Sequence, residues 1–399
     1  MDVRMTKVEL VSEIKNHLEC DVIPFWKSLR DNENGGYYGW LDYDLKLDKK
    51  AVKGCILNSR ITWFFANAYT VLKDESLLEE ARHGFEFLKN VCWDKENKGV
   101  FWSVNYDGTP CETLKHTYNQ AFSIYALSSY YEASGDKEAL DMAYELYDII
   151  ESKMRDELGY REAFDEKFVE IENDKLSENG VIAQKTMNTL LHVFEAYTEL
   201  YRVDHNEKVA EKLRWMMDIV ADKVYNPEIH RQEVFFDEKW NSIIDLHSYG
   251  HDIETAWLMD RTLEVLGDEE YNQKMSPITQ DLTKQIYKIA FNGESLSNEC
   301  EKGVVDEWRI WWVQAETVVG FLNGYQKMGD DKLFEAACNV WEFIKEHVID
   351  KREGYEAGKE WYWRVKADGT PDSGKPIVEP WKCPYHNGRM CFEVINRLK

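Results

Sequence analysis

Two histidines lie in polar clusters that a helix core does not need. His251 opens the run HDIE, three positions before Glu254, and His386 lies in PYHNGR, three positions before Arg389. At i, i+3 spacing His251 and Glu254 share a helix face, so the carboxylate is expected to orient the ring and raise its basicity toward a general acid/base. Two imidazoles with an arginine nearby suit proton abstraction beside a carbonyl. One takes the C–H proton, Arg60 stabilises the enediolate oxygen, and the other returns a proton to the opposite face. The outcome is epimerisation without a cofactor.

Rival chemistries use some of the same residues. His247, one turn earlier, suggests a metal site with His251 and Asp252 or Glu254. The spacing H-x3-H-x2-E matches no zinc signature, and HExxH is absent, so no metal is expected. A glycoside hydrolase would need two carboxylates about 5 to 9.5 Å apart, for which Glu254 and Glu316 are the candidates. The wealth of histidine argues against it, and a sugar-binding protein would not need two acid/base groups. Nucleophile-elbow, phosphate-loop and dinucleotide motifs are absent.

Other residues point to a carbohydrate ligand. Trp102, Trp311, Trp312, Trp361, Trp363 and Trp381 fall in loops or at helix starts, where indole faces can stack on sugar rings; Trp257 and Trp341 read as core. Tyr118, Asn119, Asn188 and His192 are polar groups early in otherwise apolar helices, with His192 divided between core bonding and substrate contact. His17, His83, His205 and His230 read as solvated and His347 as a helix C-terminal cation, while His116 starts an inner helix and is as structural as functional.

The elements that must position these groups follow from a repeat. Asp74, Asp136, Asn206, Asp268 and Asp330 each open an amphipathic helix, at intervals of 62, 70, 62 and 62 residues. Each is preceded by a more apolar helix, starting at Ile56, Lys115, Lys185, His251 and Ile310, and a sixth starts at Pro384. With an N-terminal helix from Thr6 to Glu19 this makes twelve. Gly/aromatic loops at 31–44, 94–108, 156–166 and 352–369 read as small hairpins. Six helical hairpins that consume the chain favour closure over an open solenoid. The expectation is an all-α (α/α)6 barrel, one catalytic domain over 1–399, with short β-hairpin loops at one end. Parallel inner helices would bring their polar first turns to one end of a central cavity.

Composition limits the partners. With 49 Lys+Arg against 74 Asp+Glu the net charge is −25, which disfavours nucleic acid and anionic membranes. The first 26 residues carry charges throughout, unlike a signal peptide, and the eight scattered cysteines read as reduced thiols. A cytoplasmic monomer or weak homo-oligomer acting on a small molecule is expected.

Six motifs, LNSRITWFF, HTYNQAF, KTMNTLLH, HSYGHDIETAWL, WWVQAE and WKCPYHNGRM, together resemble the N-acylglucosamine 2-epimerase superfamily, and within it the cellobiose 2-epimerases. The likeness runs in order over nearly the whole chain. It implies the same barrel and reversible epimerisation at C2 of the reducing-end glucose of β-1,4-linked disaccharides, cellobiose giving glucosyl-mannose and lactose giving epilactose. It also implies His251 and His386 as the acid/base pair, Arg60 and Glu254 as their partners, and Tyr118, Asn188, His192 and Trp381 as sugar contacts. N-acylglucosamine 2-epimerase and mannose isomerase are the alternatives within the superfamily.

Overall fold

The computed structural model describes residues 5–176 and 179–399. Helix α1 (Lys7–His17) runs through a π-helical turn (Leu18–Val22) into α2 (Ile23–Ser28). Helices then alternate between two layers. They are α3 (Cys55–Leu72), α4 (Glu75–Phe87), α5 (Thr117–Ser134), α6 (Lys137–Lys153), α7 (Met187–Asp204), α8 (Glu207–Ile219), α9 (Tyr249–Leu266), α10 (Glu269–Ile289), α11 (Trp311–Met328), α12 (Asp331–Phe343) and α13 (Tyr385–Arg397).

The odd-numbered helices from α3 onward form a closed ring. Each packs on the next, from α3 to α5 and on to α13, and α13 packs back on α3. Around them α4, α6, α8, α10 and α12 each pack on the inner helix just before them, while α1 covers α13. The N-terminal helix therefore completes the last unit. This is an (α/α)6 barrel.

Local chemistry sets each turn from inner to outer helix. Lys73, Gly135, His205, Gly267 and Gly329 end the inner helices in the left-handed region, each N–H bonding four residues back. The next residue is the Asp or Asn picked out by the repeat, and its side chain accepts a backbone N–H of the new helix in all five cases.

The N-terminal helix differs from its expected end at Glu19: it continues to Ser28, because the π-helical turn carries the chain past Pro24, which falls in the first turn of α2 where a missing N–H is tolerated. The loops form small hairpins as expected, such as Ala163–Phe164 with Glu170–Ile171, and three of the hairpins gain a third strand. Lys53–Gly54, Lys115–His116, Lys185–Thr186, Leu246–Ser248 and Arg309–Ile310, each just before an inner helix, pair with a strand beyond the next outer helix. Helices expected to start at Lys115, Lys185 and Ile310 consequently begin one or two residues later, whereas α9 begins at Tyr249 and places His251 in its first turn. Buried ion pairs anchor three of these strands, Lys53–Asp31 at 2.6 Å, Lys115–Asp94 at 2.8 Å and Lys185–Asp156 at 2.7 Å.

At the other end of the ring polar groups join inner helices to one another. Arg261 bridges Glu199 at 2.6 Å and Glu393 at 3.0 Å, and Asn323 donates to Asp260 at 2.6 Å.

Close approach of α9 and α11 depends on Gly320, where an added Cβ would stand 2.3 Å from Ile253 Cγ1 and 3.1 Å from its carbonyl oxygen. Gly320→Ala is expected to destabilise the protein by about 1–3 kcal/mol through overpacking, seen as a lower urea midpoint with an unchanged m-value.

Candidate active site

The first turns of the six inner helices meet around a cavity of about 380 Å³. Arg60, Tyr118, Asn188, His192, His251, Glu254, Trp311, Trp312, Trp381 and His386 all line it, one or more from every inner helix apart from Trp381, which lies just before α13. These ten expected residues are therefore brought to one place, whereas Asn119 is turned away and donates to the Phe101 carbonyl. Trp363 joins them, but Trp102 packs behind Trp381 with ring centroids 5.8 Å apart, and Trp361 is not at the mouth. Trp361 is fully buried and donates to His17 Nε2 at 2.8 Å, so His17 is a core residue rather than a solvated one. His116 is buried too: its Nδ1 accepts from Tyr118 N at 3.2 Å, and its Nε2 lies 3.1 Å from Asn173 Oδ1. Trp257 and Trp341 are core residues as expected.

The two key imidazoles lie on α9 and α13, the neighbours of α11 in the ring. Trp312 of α11 packs on both, with centroids 4.8 Å from His251 and 5.4 Å from His386. Their partners differ from the expected ones. Glu254 does not touch His251; Ser248 does, its hydroxyl 2.7 Å from Nδ1. The carboxylate–imidazole pairs are His386 Nδ1 with Glu316 at 2.7 Å and His192 Nδ1 with Glu195 at 2.9 Å. Glu195 stands to His192 as Glu254 stands to His251, so the i, i+3 rule was applicable and was realised on α7. Glu195 was the residue to add.

Arg389 explains where Glu254 goes. It is fully buried, and its guanidinium donates to Glu195, Glu254 and the Tyr385 hydroxyl, and to Glu316 at 2.7 Å. One cation thus joins three carboxylates, two of which hold histidines. Burial, reinforced by the charge of Glu316, raises Glu254 to about 7. Burial would also raise Glu195, but Arg389, His192 and Tyr385 together bring it down to about 2. Burial, with a smaller contribution from His192, lowers His251 to about 3; burial and the charges of Arg389 and Arg60 push His386 well below its usual value. Burial thus favours the neutral form of each imidazole, the form that accepts a proton.

The rival readings meet specific obstacles. His247 bonds Asp252 at 2.7 Å, and Gln232 also bonds Asp252 at 3.0 Å; neither His247 nor Asp252 lines the cavity. Glu254, Glu316 and His386 do place ligand atoms within 4.8 Å of one another, but Arg389 Nη2 already binds both carboxylates and supplies the positive charge there. Those same contacts leave Glu254 and Glu316 together on one side, unlike the separated acid and base of a hydrolase.

What remains free suits a polyhydroxylated molecule. Arg60 Nε and Trp311 Nε1 are buried donors, and Asn188 Oδ1 and Glu254 Oε2 buried acceptors, without partners. Buried polar atoms are normally satisfied, so these four point to a ligand. Arg60 bonds neutral groups, Tyr118 Oη at 2.8 Å and Cys383 Sγ at 3.9 Å, with its guanidinium 4.0 Å over the Phe122 ring. Its charge is therefore available to a developing oxyanion.

The comparisons with known proteins agree with this geometry. The family model described as N-acylglucosamine 2-epimerase (GlcNAc 2-epimerase) matches residues 36–387. A cellobiose 2-epimerase of Ruminococcus albus is 54% identical over 388 residues, covering 97% of this chain and 99% of its own. One of Dictyoglomus turgidum is 46% identical over 398 residues and covers both chains fully. The solved structure of cellobiose 2-epimerase from Bacillus thermoamylovorans superposes with a TM-score of 0.92 at 46% identity, over 97% of this chain and 99% of that one. With the family model matched over most of its length and the barrel and sequence of its relatives shared from end to end, the chain belongs to the N-acylglucosamine 2-epimerase family.

Proposed function

We propose that the protein is a cellobiose 2-epimerase, interconverting the gluco and manno configurations at C2 of the reducing sugar of β-1,4-linked disaccharides such as cellobiose and lactose. The observation that carries this reading is the placement of two imidazoles, His251 and His386, both packed on Trp312, in a cavity whose unpartnered atoms suit sugar hydroxyls. Relatives 54% and 46% identical to this chain bear that name.

In the open-chain sugar one imidazole removes the C2 proton, and the electron pair moves into the C1–C2 bond as the carbonyl oxygen becomes an enediolate. Arg60 and its bonded Tyr118 meet that charge. The other histidine enters the step as the imidazolium and delivers its own, solvent-derived Nε2 proton to the opposite face of C2, and the carbonyl re-forms. The pair shares one proton, so the histidines exchange roles when the reaction reverses. Asn188, His192 and Glu254 hold hydroxyls, while Trp311, Trp312 and Trp381 present indole faces to the rings. No cofactor or metal takes part.

The reading extends to a single catalytic domain over 1–399 in a cytoplasmic monomer or weak homo-oligomer. The closed ring supports the single domain, and among the described residues no helix is long and apolar enough to cross a membrane.

Turnover of cellobiose in deuterated water should yield glucosyl-mannose labelled at C2, read by NMR. Epimer formed without label would exclude proton transfer, and conversion confined to mannose or N-acetylglucosamine would assign the chain to another activity of the family.

A further inference from the structure

Ser248 holds the N-cap position of α9, yet its side chain makes no capping hydrogen bond. At the matching position of α7, Thr186 accepts from Thr189 N at 2.9 Å, the ordinary use of a hydroxyl at a helix start. The Ser248 hydroxyl is instead 2.7 Å from His251 Nδ1. Its backbone is held on both sides. Ser248 pairs with Glu299 in the strand register, and the neighbouring His247 is tied to Asp252 at 2.7 Å.

A neutral imidazole has one N–H. To act as a base toward the cavity through Nε2 it must carry that hydrogen on Nδ1, and a buried Nδ1–H needs an acceptor. On His386 the acceptor is the Glu316 carboxylate, which can only accept. His251 has no carboxylate at this atom. We propose that Ser248 is the positioning residue of His251, its hydroxyl accepting Nδ1–H so that the Nε2 lone pair faces C2 of the sugar. The assignment rests on His251 being one of the two acid/base groups.

The site is thus built with unlike supports, a charged one for His386 and a neutral one for His251. The titratable or charged groups lining the cavity with His251 are Glu254 on its own helix, His192 of α7, His386 of α13, Arg60 of α3, Tyr118 of α5, Lys175 before α7, Glu299 and Asp306 beyond α10, and Arg364 beyond α12. Trp312 of α11 covers one face of the ring. The hydroxyl adds no charge to this set, so an aspartate at position 248 would add one directly at Nδ1 and favour the imidazolium.

The test compares Ser248→Ala, Ser248→Thr, Ser248→Asp and His251→Ala on cellobiose across pH, with thermal midpoints measured for each. Ser248→Ala should lower kcat about tenfold or more, with KM changed by less than about twofold and an unaltered Tm, since no cap is lost. Ser248→Thr should recover most of that loss. Ser248→Asp should move the acidic limb of the kcat profile to higher pH by about one unit. A wild-type kcat and pH profile in Ser248→Ala would overturn the proposal, as would a defect confined to KM or a fall in kcat and Tm that threonine does not repair. Should the aspartate variant not fold, the alanine and threonine pair still decides. His251→Ala separates the two levels. If it turns over normally, the two-histidine reading itself fails. If it is inactive while Ser248→Ala is unimpaired, only the role of Ser248 fails.

Discussion

His386→Ala is expected to lower kcat for cellobiose by about 10²- to 10⁴-fold, the range typical of a lost acid/base group. The ring is buried, its Nδ1 is held by Glu316, and Nε2 is the nitrogen left for the cavity. Binding should persist, because Arg60, Asn188 and the tryptophans remain; titration calorimetry with cellobiose would measure it. A binding protein would keep its affinity and have no turnover to lose. The two-base scheme makes a sharper demand on the same variant. From one epimer His251 can still remove the C2 proton and return deuterium to the same face, giving exchange without inversion. From the other epimer, exchange and epimerisation should both stop. Equal residual exchange from the two epimers would contradict a division of faces between the histidines.

Arg389→Met should destabilise the protein by about 3–5 kcal/mol, because it leaves buried carboxylates without their cation. Glu195, Glu254 and Glu316 all bind this guanidinium, and burial already raises Glu254 and Glu316. Equilibrium urea unfolding would read the loss. Adding Glu254→Gln should recover part of it by removing one of the unpaired acids, so the double variant should be more stable than additivity allows. Strict additivity would show that Glu254 and Arg389 do not interact, contrary to the geometry. Activity should fall along with stability, since the same cation holds the carboxylates behind His192 and His386.

The fold was legible because its signals are local. Asp74, Asp136, Asn206, Asp268 and Asp330 cap helices through bonds to residues only two or three positions ahead. The apolar positions that turn inward repeat within a single helix, so a window of about eighteen residues contains them. The small hairpins were legible too, but not their extension into three-stranded sheets, since the strands before the inner helices pair across whole units; Lys53 lies opposite Val104, beyond two helices. Trp361 and His17 were misplaced for the same reason. They bond across 344 positions, and nothing near either residue marks the contact.

The site divides in the same way. The sequence by itself picked out inner-helix residues that reach the cavity, because an inner helix that begins there presents its first turns to it, although other polar groups in those turns, Asn58, Gln120 and Gln314, bond the backbone of the loops instead. Only the tertiary structure decided how they are paired. His386 meets Glu316 across 70 positions and Arg389 meets Glu195 across 194, whereas the adjacent candidates His251 and Glu254 do not bond. Shared position on a helix face permits a contact but does not select it. In the buried ring the guanidinium of Arg389 outcompetes a neutral imidazole for the Glu254 carboxylate, because a charge removed from water is stabilised most by an opposite charge. That competition leaves His251 to the hydroxyl of Ser248.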